Sequence, residues 1–303
     1  MTSPRPRRPG RNRLTRGQLA VRRGLALLAI LAVIGFLAWG AFALVGSGSG
    51  SSDTTAFIPP SPPKPLKIVF PEGFTRRDMA ERITAVDTIA VRKRHVHPHL
   101  SAKAYLAATR SSSLPARFAR DHKRRTLEGF LFPATYDFAA ATTSAQLVKS
   151  QLEAFRTNWA KLNLAHAKKK NLTPYDVLII AAMVEKETLA PDERRLVAAV
   201  IYNRLHANIP LGIDATIRYA LDVPGTESLR QSQLANPTPY NTRLYAGLPP
   251  GPIANPGLAS MQAAAHPAKV DYLYFVRKPD KVHHFFTASF RAFQNYANAH
   301  GYG

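Results

Sequence analysis

The chain has 303 residues, with 41 Lys+Arg against 19 Asp+Glu, a formal net charge of +22, no cysteine and 46% hydrophobic residues. A charged fraction of 20% beside that apolar content excludes wholesale disorder and allows one or two globular domains. Zero cysteine excludes disulfide frameworks, thiolate metal sites, iron–sulfur clusters and cysteine nucleophiles, while the surplus of cations fits nucleic acid, an anionic membrane or an extracellular polyanion.

Residues 1–23 hold eight arginines and no acid, which leaves +14 for the rest of the chain. Residues 24–45, GLALLAILAVIGFLAWGAFALV, carry no charged side chain. As a helix they would span about 33 Å, enough for a hydrocarbon core of ~30 Å, so a single membrane-spanning helix is predicted. The rival reading is a cleaved signal peptide, and Ala41-Phe42-Ala43 fits an A-x-A cleavage pattern. The length of the apolar run and Trp39 near its far end favour the anchor. Arginines on one flank place a cytoplasmic basic tail inside and everything after the span outside, which removes nucleic acid from the expected partners. Residues 46–65, GSGSGSSDTTAFIPPSPPKP, read as a flexible and then proline-stiffened linker.

Two folded regions are expected beyond it. In residues 66–125, KIVF reads as a strand, Pro71-Glu72-Gly73 as a turn, and Thr75 as the N-cap of a helix through Met79 and Ile83. In residues 126–303, helices are expected near Ala145–Leu162, Tyr175–Thr188 and Glu193–Leu205, a strand at Tyr272–Val276, and a last helix from about Ser289. The expected fold class is α+β, with helices dominating the second region.

The segment from Thr173 to Thr188, TPYDVLIIAAMVEKET, is where chemistry is expected. Thr173 can cap the helix and Pro174 suits its first turn. Val177, Ile180, Ala181 and Val184 fall at i, i+3, i+4 and i+7, which predicts one buried face with Lys186 opposite and Glu185 and Glu187 on its two flanks. A carboxyl at the edge of an apolar surface has its proton affinity raised by desolvation, as a general acid near neutrality requires. A solvated Glu-Lys-Glu helix end is the plainer reading, and periodicity does not choose between the two glutamates. The alternating His95, His97 and His99 lack cysteine or a converging carboxylate set, so no metal is expected, and no phosphate-binding glycine loop is present.

Several separated blocks resemble the endolytic murein transglycosylase family, the MltG or YceG-like proteins. They are LEGFLFPATYDF (Leu127–Phe138), AAMVEKET (Ala181–Thr188), VIYNRL (Val200–Leu205), IPLGIDATIRYAL (Ile209–Leu221), YNTRLYAGLPPGPIANPG (Tyr240–Gly257), AAAHPA (Ala263–Ala268) and YLYFV (Tyr272–Val276). The resemblance implies a membrane anchor, a small LysM-like subdomain at 66–125 and a lysozyme-related, mainly helical catalytic domain with some β-strands at 126–303. It implies cleavage of the β-1,4 bond between N-acetylmuramic acid and N-acetylglucosamine inside nascent peptidoglycan strands, leaving 1,6-anhydro ends, with no cofactor. On the family pattern Glu187 is the catalytic acid, with Glu185 the alternative.

Asn203, Arg204, Asp214, Thr216, Tyr240, Asn241, Thr242 and Asn255 become expected substrate-binding residues, with Tyr240, Asn241 and Asn255 facing the glycan. A turn or cap role is the competing reading for Asp214. Gly212-Ile213 and Ala215 depart from the family's Gln-Ser and proline, and Ala292-Phe293-Gln294 replaces a Glu-His-Asn cluster. The expected partners are peptidoglycan strands, the membrane and, as further candidates, peptidoglycan synthases, with the protein in the plasma (inner) membrane and its catalytic domain outside. A water-using muramidase and a non-catalytic wall-binding scaffold are the alternatives.

Overall fold

The structure is a computed structural model that describes residues 65–110, 118 and 126–301. The basic tail, the apolar run and nearly all of the linker lie outside the described residues. Among those described, no helix is long and apolar enough to cross a membrane.

The chain starts with β1 (Leu66–Val69), α1 (Arg76–Arg94) and α2 (Ala102–Ala108), followed by β2 (Thr135–Phe138). Alternation decides how the strands sit: Ile68 and Phe138 point inward and are buried, while Lys67, opposite Asp137, faces water. Thr75 caps α1 through a reciprocal capping box with Asp78, as its position in the sequence predicts. Met79, Ala80, Ile83 and Ala90 are its buried residues, so the expected Met79–Ile83 face is the inner one. The strand that pairs with β1 comes from beyond residue 125, so this β-α-α-β unit runs across the boundary expected there. The same hydrophobic core continues from Ile68 through Phe130 to Ala265, because the Leu127–Leu131 segment is buried between the two regions.

Seven further helices follow: α3 (Ser144–Trp159), α4 (Ala165–Lys169), α5 (Pro174–Glu187), α6 (Arg194–His206), α7 (Asp214–Leu221), α8 (Gln231–Leu234) and α9 (Leu258–Ala265). A hairpin, β3 (Tyr274–Arg277) and β4 (His284–Thr287), and a last helix, α10 (Phe290–Ala299), close the fold. The α+β class therefore holds. Phe118, Phe130, Phe155 and Trp159 form an aromatic cluster under α3.

α5 runs through the hydrophobic core of the described residues. Thr173 and Asp176 form its capping box and Pro174 occupies its first turn. The expected single buried face is too narrow: every residue from Val177 to Val184 is buried, on all sides. α9 and α6 pack against the helix, and Ala263, Ala264 and Ala265 let the α9 backbone come close. Six of the buried α5 side chains are Val, Leu, Ile or Met, each worth about 1.5–3 kcal/mol on burial, so this helix is a rigid post for whatever its end carries.

Candidate active site

α5 ends at Glu187, where Thr188 turns to extended backbone. The two glutamates of this last turn meet different surroundings. Glu185 Oε2 accepts the N–H of Gly257 at 2.9 Å. Gly257 is the N-cap of α9 and brings no side-chain cap, so Glu185 supplies the anionic acceptor that this helix start lacks. Glu72 lies beside it, its carboxyl raised in proton affinity by burial and by Glu185, against Arg194. A Cβ on Gly257 would run into the Glu72 carboxyl. Lys186 reaches outward to the Gly73 carbonyl at 3.4 Å.

Glu187 faces the start of α7. The backbone N–H of Ala215 and the charges of Asp214, Arg218, Arg277 and Arg243 act on its carboxyl. Burial pushes its pKa up to about 7, helped by the charge of Asp214 and opposed by Arg277, the Ala215 N–H and Arg218. The residue is nonetheless partly exposed. A carboxyl that holds its proton near neutrality, at a wetted edge and among cations that favour its later ionisation, can donate a proton and take one back.

Tertiary ties place the cations. Arg277 sits opposite His284 in the β3–β4 register, and His284 is fixed by Glu193, which accepts its backbone N–H at 2.9 Å and pairs with its Nδ1 at 2.7 Å. Arg243 Nε donates to Asp214 Oδ1 at 2.6 Å. Leu189, Leu244 and Tyr245 are large apolar side chains left exposed close in sequence to Glu187 and Arg243. Among the described residues no group of three or more His, Asp or Glu is placed to hold a metal ion.

The expected sugar ligands are mostly turned inward. Asn255 is fully buried: its Nδ2 donates to Glu128 Oε1 (2.8 Å) and the Phe74 carbonyl (2.9 Å), and its Oδ1 accepts from Leu131 N (2.9 Å). Asn241 is equally buried, donating to the Leu234 and Asn236 carbonyls. Thr242 Oγ1 accepts from Ile213 N, and Thr216 Oγ1 donates to the Ile213 carbonyl. Asn203 Nδ2 bridges the Val270 and Tyr272 carbonyls at 2.9 Å each. Arg204 donates to the Pro210, Leu211 and Leu273 carbonyls and lies over the Tyr274 ring. Tyr240 is half-buried against Tyr219, ring centroids 5.3 Å apart.

The three asparagines and the two threonines share one reason: loops packed onto a core leave backbone groups without partners, and short amides and hydroxyls complete them. Of the eight, Asp214 alone is among the groups whose charge acts on Glu187. Arg218, Arg243 and Arg277 have no signal in spacing or periodicity that marks them; they stand out only once the fold sets their charges against Glu187.

The model of the YceG-like family matches residues 37–299. The chain belongs to the YceG-like family. Two relatives named endolytic murein transglycosylase are similar to it: one from Bacillus subtilis (strain 168), 38% identical over 157 residues, covers 51% of this chain and 43% of that protein. The other, from Streptococcus pneumoniae (strain ATCC BAA-255 / R6), is 33% identical over 236 residues, 72% of this chain and 41% of that protein. The chain thus spans about two fifths of the length of the curated relatives it matches. A 2.6 Å crystal structure of a YceG-like protein from Listeria monocytogenes matches with a TM-score of 0.65 at 29% identity, over 77% of this chain and 76% of that one. Family membership covers the β-α-α-β unit, α5 and the α7 region together.

Proposed function

We propose that the protein is an endolytic lytic transglycosylase of peptidoglycan, with Glu187 as its single acid and base. The observation that carries this reading is the Glu187 carboxyl, protonated near neutrality at the partly exposed end of a rigid helix and faced by Asp214 and three arginines. The names of the relatives supply the substrate class.

In the proposed reaction Glu187 donates its proton to the glycosidic oxygen as the bond from the muramyl anomeric carbon to that oxygen breaks. The muramyl 6-hydroxyl oxygen then bonds to the same carbon and its proton returns to Glu187, so one bond breaks, one forms, no water enters and the acid is regenerated. Arg218, Arg243 and Arg277 stabilise the carboxylate during the interval in which it is ionised. Tyr245, exposed on the turn that carries Arg243, offers a flat apolar face to a sugar ring. Glu185, engaged on α9, is the weaker candidate for the acid.

The reading extends to the rest of the chain. Residues 24–45 anchor the protein in the plasma membrane, with residues 1–23 inside and the catalytic region outside, where it acts as a terminase on nascent strands and meets synthases. The β-α-α-β unit, Leu66–Phe138, is read as a LysM-like module that holds glycan.

A water-using muramidase deserves a second place because Asp214 supplies a neighbouring carboxylate, as a two-carboxylate mechanism would need. Purified full-length protein in detergent, incubated with polymerised lipid II and its products resolved by mass spectrometry, separates the readings. Anhydro ends support the transglycosylase, reducing ends the muramidase. No cleavage, with glycan binding intact and insensitive to Glu187 and Glu185 substitution, supports a wall-binding scaffold.

A further inference from the structure

We infer that Asp214 and Arg243 form a positioning pair that sets the charge environment of Glu187 from behind, without contacting the glycan. The inference rests on the acid role proposed for Glu187 and adds two residues whose effects have opposite sign.

The geometry begins at a buried amide. Asn241 is pinned by the Leu234 and Asn236 carbonyls at 2.8 Å each, and its Oδ1 accepts the backbone N–H of Arg243 at 3.0 Å. Its own carbonyl accepts from Leu244 N and Tyr245 N, closing a tight turn around Arg243. The next residue, Thr242, locks this turn to the start of α7: its carbonyl accepts from Gly212 N at 2.8 Å and its Oγ1 from Ile213 N at 3.0 Å. The turn and the first residues of α7 are therefore one braced piece. Two charges stand on that piece and meet each other, Arg243 Nε to Asp214 Oδ1 at 2.6 Å. Helix α7, which begins at Asp214, packs against α5, which ends at Glu187, so the pair stands on the element that meets the acid's helix; the Ala215 N–H and the Asp214 charge both act on the Glu187 carboxyl.

The electrostatic consequence follows from position. The charge on Asp214 opposes ionisation of Glu187, and Arg243 offsets it. Arg218, tied to the Pro224 and Glu227 carbonyls, and Arg277 on β3 also face Glu187 and favour its ionised form. Removing Asp214 takes away the opposing charge and leaves Arg243 uncompensated, so Glu187 loses its proton at lower pH. Removing Arg243 leaves Asp214 unopposed, so Glu187 keeps its proton to higher pH. Both side chains of the pair are close to half exposed, so screening keeps each shift to about half to one pH unit.

The experiment is the pH profile of kcat, alongside KM, for the full-length chain on polymerised peptidoglycan, with Asp214→Asn, Arg243→Gln, Arg243→Lys and the double variant Asp214→Asn/Arg243→Gln. The limb on which activity falls with rising pH should move down for Asp214→Asn and up for Arg243→Gln, lie between for the double variant, and stay near wild type for Arg243→Lys. Limbs that do not move, or that move the same way in both single variants, overturn the pairing. So does a rise in KM with an unmoved limb, which would make Arg243 a substrate contact. Glu187→Gln is run in parallel. If it stays active, the acid role itself fails; if it is inactive while the limbs stay put, only the positioning pair fails.

Discussion

Two carboxylic acids in this protein have proton affinities lifted by burial to the same level, about 7, and their surroundings could hardly differ more. Glu128 is 5% exposed and is met by the backbone N–H of Arg76 (3.1 and 3.2 Å to its two oxygens), Asn255 Nδ2 at 2.8 Å and the Tyr219 hydroxyl at 3.3 Å. It joins the start of α1 to the loop of Asn255, and every lone pair that could serve a substrate faces protein. Glu187 stands at a partly exposed helix end, where the charges of three arginines and of Asp214 act on it. A raised proton affinity alone therefore does not mark a catalytic acid. Access to solvent and a cationic, incompletely bonded surround separate the acid that can work from the acid that only braces.

The most severe test of this contrast is Glu187→Gln, expected to lower turnover by about 10²–10⁴-fold with the thermal unfolding profile retained. Anhydro-muropeptide release measured on the same substrate as wild type checks it, and an active variant would erase the distinction. Next in size is the bracing side. Gly129, adjacent to Glu128, has φ +88°, and a Cβ there would lie 2.6 Å from Pro252 Cγ. Gly129→Ala should destabilise the fold by about 2–4 kcal/mol in chemical denaturation, through strain and overpacking together. Glu128→Gln should cost about 1–3 kcal/mol by presenting an amide to donors that expect an acceptor, while kcat per folded molecule stays within a few-fold.

A pH titration sharpens the comparison further. Both acids have folded values above the ordinary carboxylate value of 4.5, so the native state binds more protons than the unfolded chain between about 4.5 and 7. Their contribution is fully present below 4.5 and is lost as pH rises through about 7, so stability declines across that window. Calorimetry should show this decline flattened in Glu187→Gln, because the ionisation that opposes folding is gone. A decline of unchanged slope would mean that Glu187 ionises freely. The smallest effect is expected at the edge of the site: Tyr245→Ala should raise KM several-fold with kcat little changed, read from steady-state kinetics.

Much of the scaffold was legible because its signals are local. Thr75 with Asp78 and Thr173 with Asp176 satisfy helix-start N–H groups within three residues, so those starts can be read from neighbours alone. The end of α3 at Trp159, short of Leu162, was less legible, since no glycine or proline stops it. The all-round burial of α5 was not legible either. The spacing of Val177, Ile180, Ala181 and Val184 picks out one face, while Leu178, Ile179 and Met183 lie off it and are covered only when α9 and α6 pack against the helix.

By itself the sequence determined the element types, the helix caps, the order of the family blocks and the short list of two glutamates, because each depends on contacts within a few residues or on pattern. Only the tertiary structure gave those glutamates different surroundings. The partner of Glu185 is Gly257, 72 residues away, while Glu187 meets Ala215 and Asp214 on α7. It also showed Asn241, Thr242 and Asn255 buried and bonded to backbone groups, since whether an amide faces a cleft or a loop carbonyl is decided by which backbone groups the packed fold leaves unpaired.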